Sequence, residues 1–372
     1  PPPPPPPPPT PTPRLFRRQR QMCIRDRDDV AGEMAAHFAQ AGDSPRAFAL
    51  YRRAAQLSLN QFALVQAEVL YDEALKHAPD DPVTRIELLA DLSRIYDATL
   101  QGERWRTCLE RQQAILDSME TSRPDIQFEL ELRFSKYWRS SGELAHANSA
   151  VTEAFALAEE MDDVAKLARC YQALGLIYWM GARMSEASHA FGEMVRLARE
   201  ANAAVVEARA HELLAQAGMF SGMPSEEIYQ HLVQSFAWAE ENDHKQNIVA
   251  LLIKFGYLQI SVGMGKFDRI EDDCRRAHDL GLAIGDRGQQ AIALSNQGMA
   301  FANQGVYHRA QEALRKAAAI EQEEGLYWRN WVTLHYTGAM WMQMGCIEQA
   351  RRDLEKSSTE LHNFGSHHFE VK

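Results

Sequence analysis

Histidines, carboxylates and cysteines at short spacing are the residues of this 372-residue chain that could do chemistry. His362, His367 and His368 are candidate metal ligands, but no acidic or cysteine partner stands beside them at a known ligand spacing, so they read as an exposed tail. Glu33 with His37, and His211 with Glu212, lack the HExxH arrangement of a zinc hydrolase and read as helix-surface or groove residues. Glu271-Asp272-Asp273 and Asp162-Asp163 fall near expected helix starts, where a carboxylate is favoured by the helix dipole without any catalytic duty. Cys23, Cys108, Cys170, Cys274 and Cys346 are odd in number and far apart, with no CxxC pair. They suit small core positions in a reducing, cytoplasmic compartment better than a disulfide framework or a zinc site. There is no GxSxG elbow and no GxxxxGK[ST] phosphate loop. The tract from Gly281 to Gly288 lacks the Lys and Ser/Thr that phosphate cradling needs, and reads as a helix stop and loop. The expectation is no catalytic residue, no metal and no cofactor.

Composition narrows the class further. Hydrophobic content of 45% with 24% charged residues is that of a soluble folded chain. No apolar run reaches the ~18 residues of a membrane helix, and no signal peptide is visible. Net charge is −11; the first 27 residues contribute +5, leaving −16 for the remainder. An acidic body argues against phosphate-backbone binding, so no nucleic-acid and no membrane partner is expected. Residues 1–27 join a proline tract to the basic stretch Arg14–Arg27. Such a segment can form polyproline II but not a core. Its RQRQMCIRDR portion looks like translated sequencing adapter, so residues 1–27 are expected to be non-native and are set aside.

The elements that must position any site are helices in a repeat. Gly142, Gly181, Gly222, Gly263, Gly305 and Gly345 recur about every 40 residues, with Gly102 and Gly42 extending the series backwards. Each is expected to end a helix in the left-handed conformation that glycine adopts cheaply. Small residues precede them at Gly175, Ala215, Gly256, Gly298 and Gly338. Others follow at Ala47, Ala147, Ala310 and Ala350, with a large apolar residue four further on at Tyr51, Val151, Leu314 and Leu354. That spacing places each trio on one helix face. Polar joints carrying Pro82, Pro124 or paired acids separate the copies, and strand signals are absent. The opening block repeats with a shift of 20 instead (Ala47/Ala67, Tyr51/Tyr71, Ala54/Ala74), so one helix there serves two overlapping units. The Gly222 copy is displaced by one position at Ile228, Leu232 and Ser235. The expected fold is an all-α solenoid over residues 28–364, of about eight antiparallel helix hairpins, with 365–372 a tail.

These residues resemble the tetratricopeptide repeat, with its small residue at the eighth place, an apolar one at the eleventh, and the Ala…Tyr/Leu…Ala trio. A period near 40 exceeds the usual 34 and implies helices about one turn longer. That form is similar to the C-terminal helical region of signal-transduction ATPases, including LuxR-type activators and ATPase-linked adenylate/guanylate cyclases. The block AGDSPRAFALYRRAAQLSLNQFALVQAEVLYDEALKHAPDD is similar to the start of the array in the cyclase-linked proteins.

The resemblance implies a right-handed superhelix whose first helices line a concave groove. Carried over by register, the groove-facing places hold Lys136, Arg139, Arg169, Gln172, Trp179, Arg209, Glu212, Gln216, Phe220, Tyr257, Asn303, His335 and Gln343. Cations, amides and aromatics together are the composition of a peptide-recognition surface. The remaining tryptophans are expected to pack between helices. The implied function is a non-catalytic scaffold or sensor arm binding a protein segment or regulatory ligand, and gating an attached ATPase through superhelical curvature. The alternative is the C-terminal part of an adenylate/guanylate cyclase whose chemistry lies upstream.

Overall fold

The computed structural model describes residues 30–60, 63–99, 101–262, 267–324 and 330–369, and within these the side chains of 261, 262, 267, 268, 330 and 361–369 are left aside. Among the described residues there are seventeen α-helices and no strand. They are α1 Ala31–Gln40, α2 Ser44–Asn60, α3 Leu64–Lys76, α4 Pro82–Ala98, α5 Gly102–Asp117, α6 Pro124–Ser140, α7 Leu144–Glu160, α8 Val164–Met180, α9 Met184–Glu200, α10 Ala204–Ser221, α11 Ser225–Glu241, α12 Lys245–Val262, α13 Phe267–Ile284, α14 Arg287–Asn303, α15 Tyr307–Glu323, α16 Asn330–Gln343 and α17 Ile347–Phe369. The chain divides within α6 into two compact units, Pro1–Arg133 and Phe134–Lys372.

In the first unit α2 packs on both α1 and α3, as the 20-residue shift requires. Ala47, Ala67 and Tyr71 are fully buried at those contacts, and Tyr51 nearly so. The Tyr71 hydroxyl donates to Gln56 Oε1 at 3.2 Å. α4 is apolar on most sides because α3 and α5 both cover it, with Leu88, Leu89, Leu92 and Ile95 inside. Asp81 caps it, accepting from the Thr84 amide at 2.8 Å, and Pro82 supplies the first turn. Gly102, expected to end a helix, is instead the first residue of α5.

The second unit stacks hairpins from α7 onward. Within it α8, α10, α12, α14 and α16 touch one another in succession and form one layer, while α9, α11, α13 and α15 form the other. The helices α7 to α9 each have 17 residues and are joined by three-residue turns. That module repeats twice per hairpin, and this is the origin of the 40-residue period. Each turn uses the same device: a left-handed residue, whose own amide and the next one bond back to the helix just ended. At the α6–α7 turn Gly142 has φ 79°, and the Glu143 amide donates to the Trp138 carbonyl at 2.8 Å. At the α8–α9 turn the left-handed residue is Ala182, with φ 56°, and not the expected Gly181, whose φ is −80°. The joints between hairpins use the same device, with Asp162, Asn202 and Asp243 at φ near 50°. Glycine was therefore an incomplete marker: of the six left-handed turn residues from Gly142 to Asp243 it supplies two, and aspartate, asparagine and alanine supply the other four. Gly263 lies outside the described residues.

The small residues sit at helix crossings. A Cβ added to Gly298 would stand 2.7 Å from Leu314 Cγ; at Gly338 it would stand 2.7 Å from Leu354 Cγ; at Gly175 it would stand 2.5 Å from the Phe191 ring. In each case the large residue of the second helix occupies the notch that the missing side chain leaves. The displaced trio Ile228, Leu232 and Ser235 is also buried. The molecule is thus an all-α helical-repeat solenoid of the tetratricopeptide-like kind.

Candidate functional site

The layer of first helices in the second unit carries a trough of about 620 Å³. Gln216, Met219 and Phe220 come to it from α10, Ile253, Lys254 and Tyr257 from α12, and Ile292 and Asn296 from α14. Trp331, Val332, His335 and Tyr336 come from α16, and Leu354, Ser357 and Ser358 from α17. Residues three or four apart on each helix reach it because such spacing repeats along one face. Its lining is mainly apolar and aromatic, with isolated amides, hydroxyls and one ammonium group.

Several polar groups are held in set orientations. Asn296, only 1% exposed, donates from Nδ2 to the Ile253 carbonyl at 3.0 Å, and its Oδ1 makes no hydrogen bond among the described residues. The Ser357 hydroxyl donates to the Trp331 carbonyl at 2.7 Å and ties α17 to α16. Burial pushes the Tyr336 phenol well above its ordinary pKa, with Tyr257 beside it adding to the effect. Lys254 Nζ donates to Glu212 Oε1 at 2.7 Å, while Arg209 Nη1 donates to Glu212 Oε2 at 2.5 Å. Burial alone would raise the Glu212 carboxyl; the charges of Lys254 and Arg209, and their hydrogen bonds, outweigh it and hold the group below the usual carboxylate range. Among the described lining residues, Lys254 is the one Lys, Arg, Asp or Glu.

Of the thirteen residues proposed from register, the structure brings Gln216, Phe220, Tyr257 and His335 together in the trough. Trp179 meets Phe220 edge-on, with ring centroids 5.6 Å apart, and lies beside it. Arg209 and Glu212 stand behind Lys254. Glu212 is buried and not groove-facing; its reach is spent on the two cations. Asn303 and Gln343 bond to each other at 2.9 Å across α14 and α16, away from the lining. Lys136, Arg139, Arg169 and Gln172, on α6 and α8, do not line it. Register missed Lys254, Asn296, Trp331 and Tyr336. For Lys254 a signal existed: it is the single charge in the apolar run Ile248–Val262.

His211, read from sequence as a surface or groove residue, is buried between α10 and α11. Its Nδ1 lies 2.8 Å from His231 Nδ1, and its Nε2 lies 3.1 Å from Arg199 Nη2. Burial, then the His231 and Arg199 neighbours, lower its pKa to about 4. Cys108, Cys170 and Cys274 are buried, and burial raises each thiol, to about 11, 12 and 12. Among the described residues no three His, Cys, Asp or Glu side chains are placed to hold a metal, and no helix is long and apolar enough to cross a membrane. The side chains of His362, His367 and His368, and Cys23 and Trp328, lie outside the described residues.

No protein-family model and no curated protein matches the chain. Among solved structures it is similar to aspartyl phosphate phosphatase F from Bacillus subtilis, at 10% identity and a TM-score of 0.64, over 90% of this chain and 93% of that one. It is similar to a Rap protein complexed with competence and sporulation factor, at 11% identity and a TM-score of 0.59, over 92% and 99% of the two chains. It is also similar to a signal transduction ATPase with numerous domains carrying a tetratricopeptide repeat sensor, from Pyrococcus horikoshii, at 12% identity and a TM-score of 0.60. There the match covers 91% of this chain and 53% of that one. At such identities the shared property is the helical-repeat fold.

Proposed function

We propose that this chain is a non-catalytic tetratricopeptide-like scaffold that holds a peptide or an extended protein segment in the trough over α10, α12, α14 and α16. The carrying observation is the trough itself: a concave, mainly apolar and aromatic lining in which single polar groups stand apart, Asn296 and Gln216 among them. Apolar surface takes up side chains, and isolated amides pair with a peptide backbone. A Rap protein of similar fold is complexed with competence and sporulation factor, and a plasmid Rap regulator with a Phr* peptide, which supports a peptide-sized occupant here. Selection of a phage-displayed random dodecapeptide library against the chain should yield binders that change its tryptophan fluorescence. Tyr257→Ala and Trp331→Ala should each weaken the selected peptides roughly tenfold or more, as central aromatic anchors do. Peptides that bind both variants as tightly as the parent would defeat the assignment.

The parent protein is proposed to be a signal-transduction ATPase, with this array as its sensor arm. The observation favouring that reading is the likeness to the sensor-bearing Pyrococcus ATPase, of which the present chain spans about half. Sequencing the genomic region around the reading frame tests it. A phosphate-binding loop in frame upstream supports it, and a complete gene without one ends it.

A further inference from the structure

We infer that the occupant of the trough carries a carboxylate, recognised by Lys254. This rests on the reading of the trough as a peptide site and adds the chemistry that selects among peptides. Arg209, Glu212 and Lys254 form a closed group in which one buried carboxylate faces two cations, one on each oxygen. The group therefore keeps one uncompensated positive charge. Arg209 is substantially exposed and solvated, whereas Lys254 is mostly covered and lies in the trough wall. An ammonium group has three N–H donors, and Glu212 takes one. The other two make no hydrogen bond among the described residues, and the lining that Lys254 joins has no Asp or Glu among its described residues. A charge in such a wall is poorly hydrated, so an anion arriving there gains more than it would in water, and a cation is repelled.

Glu212 has a second part in this. Held ionised by both cations, it fixes Lys254 against α10 and prevents the ammonium from turning out to solvent. The site is then a preset donor and not a flexible surface lysine. The neighbouring lining, Ile253, Ile292, Trp331 and Val332, takes apolar side chains. The ligand class is a short apolar peptide with one carboxylate, supplied either by its C-terminus or by an Asp or Glu side chain.

Three pools of N-acetylated octapeptides built from Ala, Leu, Ile, Phe and Tyr test this by affinity selection read out by mass spectrometry. One pool ends in a free acid, one in an amide, and one in an amide with a single internal Asp. The parent chain should retain at least one carboxylate pool roughly tenfold or more over the plain amides, the strength of a charge-assisted bond in a dry wall. Retention of the free acids alone assigns the C-terminus as the source, and retention of the Asp pool assigns a side chain. Lys254→Met should bring the carboxylate pools down to the amide level; Glu212 keeps Arg209 as partner in that variant. Lys254→Met/Glu212→Gln removes the pair together and repeats the test if the single variant is unstable. Equal retention of amides and acids by the parent overturns the carboxylate proposal and leaves the peptide trough standing, provided Tyr257→Ala abolishes that retention. Retention of no pool, or retention unchanged by Tyr257→Ala, overturns both.

Discussion

At Ala182 a side chain occupies a backbone conformation that costs an L-residue about 1–2 kcal/mol and glycine almost nothing. Gly181 precedes it with an ordinary helical φ, so the conformationally free residue stands one place before the position that needs it. Ala182→Gly should therefore stabilise the chain by about 1 kcal/mol, offset in part by the extra entropy of the unfolded glycine. Urea denaturation checks this, and an unchanged or lowered midpoint would contradict it. The paired histidines make a prediction of opposite character. Arg199 can only donate, so His211 Nε2 accepts from it and His211 Nδ1 donates to His231, which leaves both rings neutral. Glu207 on α10 and Glu227 on α11 oppose the effect, pulling His211 and His231 respectively upward, but burial and Arg199 prevail and both pKa values are lowered. A folded-state pKa below the unfolded value means that the stability is present above about pH 6.5 and is lost progressively as the pH falls toward 4. The urea midpoint should fall over that window, and His211→Phe should flatten the profile there. A midpoint indifferent to pH between 6.5 and 4 would show that the pair does not behave as a neutral buried unit.

Helix pairs depend on whether a glycine sits in a notch or in the open. Gly298 on α14 and Gly192 on α9 are both within helices, yet a methyl group added to the first would meet Leu314 and the Ala310 carbonyl, and one added to the second would meet nothing within 4 Å. Gly192→Ala should gain about 1 kcal/mol, the ordinary helix-propensity difference. Gly298→Ala should lose roughly 1–3 kcal/mol by overpacking, although it gains the same propensity term. Adding Leu314→Ala should recover part of that overpacking loss, less whatever Leu314→Ala costs by itself, because it removes the atoms in conflict. Thermal melts of the four variants decide the matter; equal effects at the two glycines would mean that the notch is not tight.

At the scale of the whole array, the helices of the second unit from α8 onward each pack on their neighbours in sequence, and α8, α10, α12, α14 and α16 also touch in succession within their own layer. Stability in such a stack is close to a sum of nearest-neighbour terms, and a local loss stays local. Hydrogen exchange of the Gly298→Ala variant should rise in α14 to α17 and remain at the parental level in α8 to α10. A uniform rise would indicate one cooperative core in place of a chain of linked hairpins. The same construction accounts for the trough: no single helix makes it, and its lining comes from four first helices and α17.

The repeat, its small residues and its helical class were legible in the sequence because they are local: a period of 3.6 along each helix, a turn residue every 20, a notch opposite each large side chain. The turn residues were only half legible, since glycine, alanine, aspartate and asparagine all fill one backbone role. The site was legible as a face and not as a set. Register singled out Gln216, Phe220, Tyr257 and His335, which do meet, along with Asn303 and Gln343, which bond to one another instead. It passed over Lys254, which only its isolation as the single charge in the apolar run Ile248–Val262 marked out, because which residues converge depends on how far each hairpin is rotated on the next. Nor could it know that Glu212 would be buried, since its two cations come from α10 itself and from α12, 42 residues away in sequence. Periodicity along one helix determines which face is covered; only packing between helices decides what that face meets, because the interhelix contacts join residues whose separation leaves no mark in the local pattern.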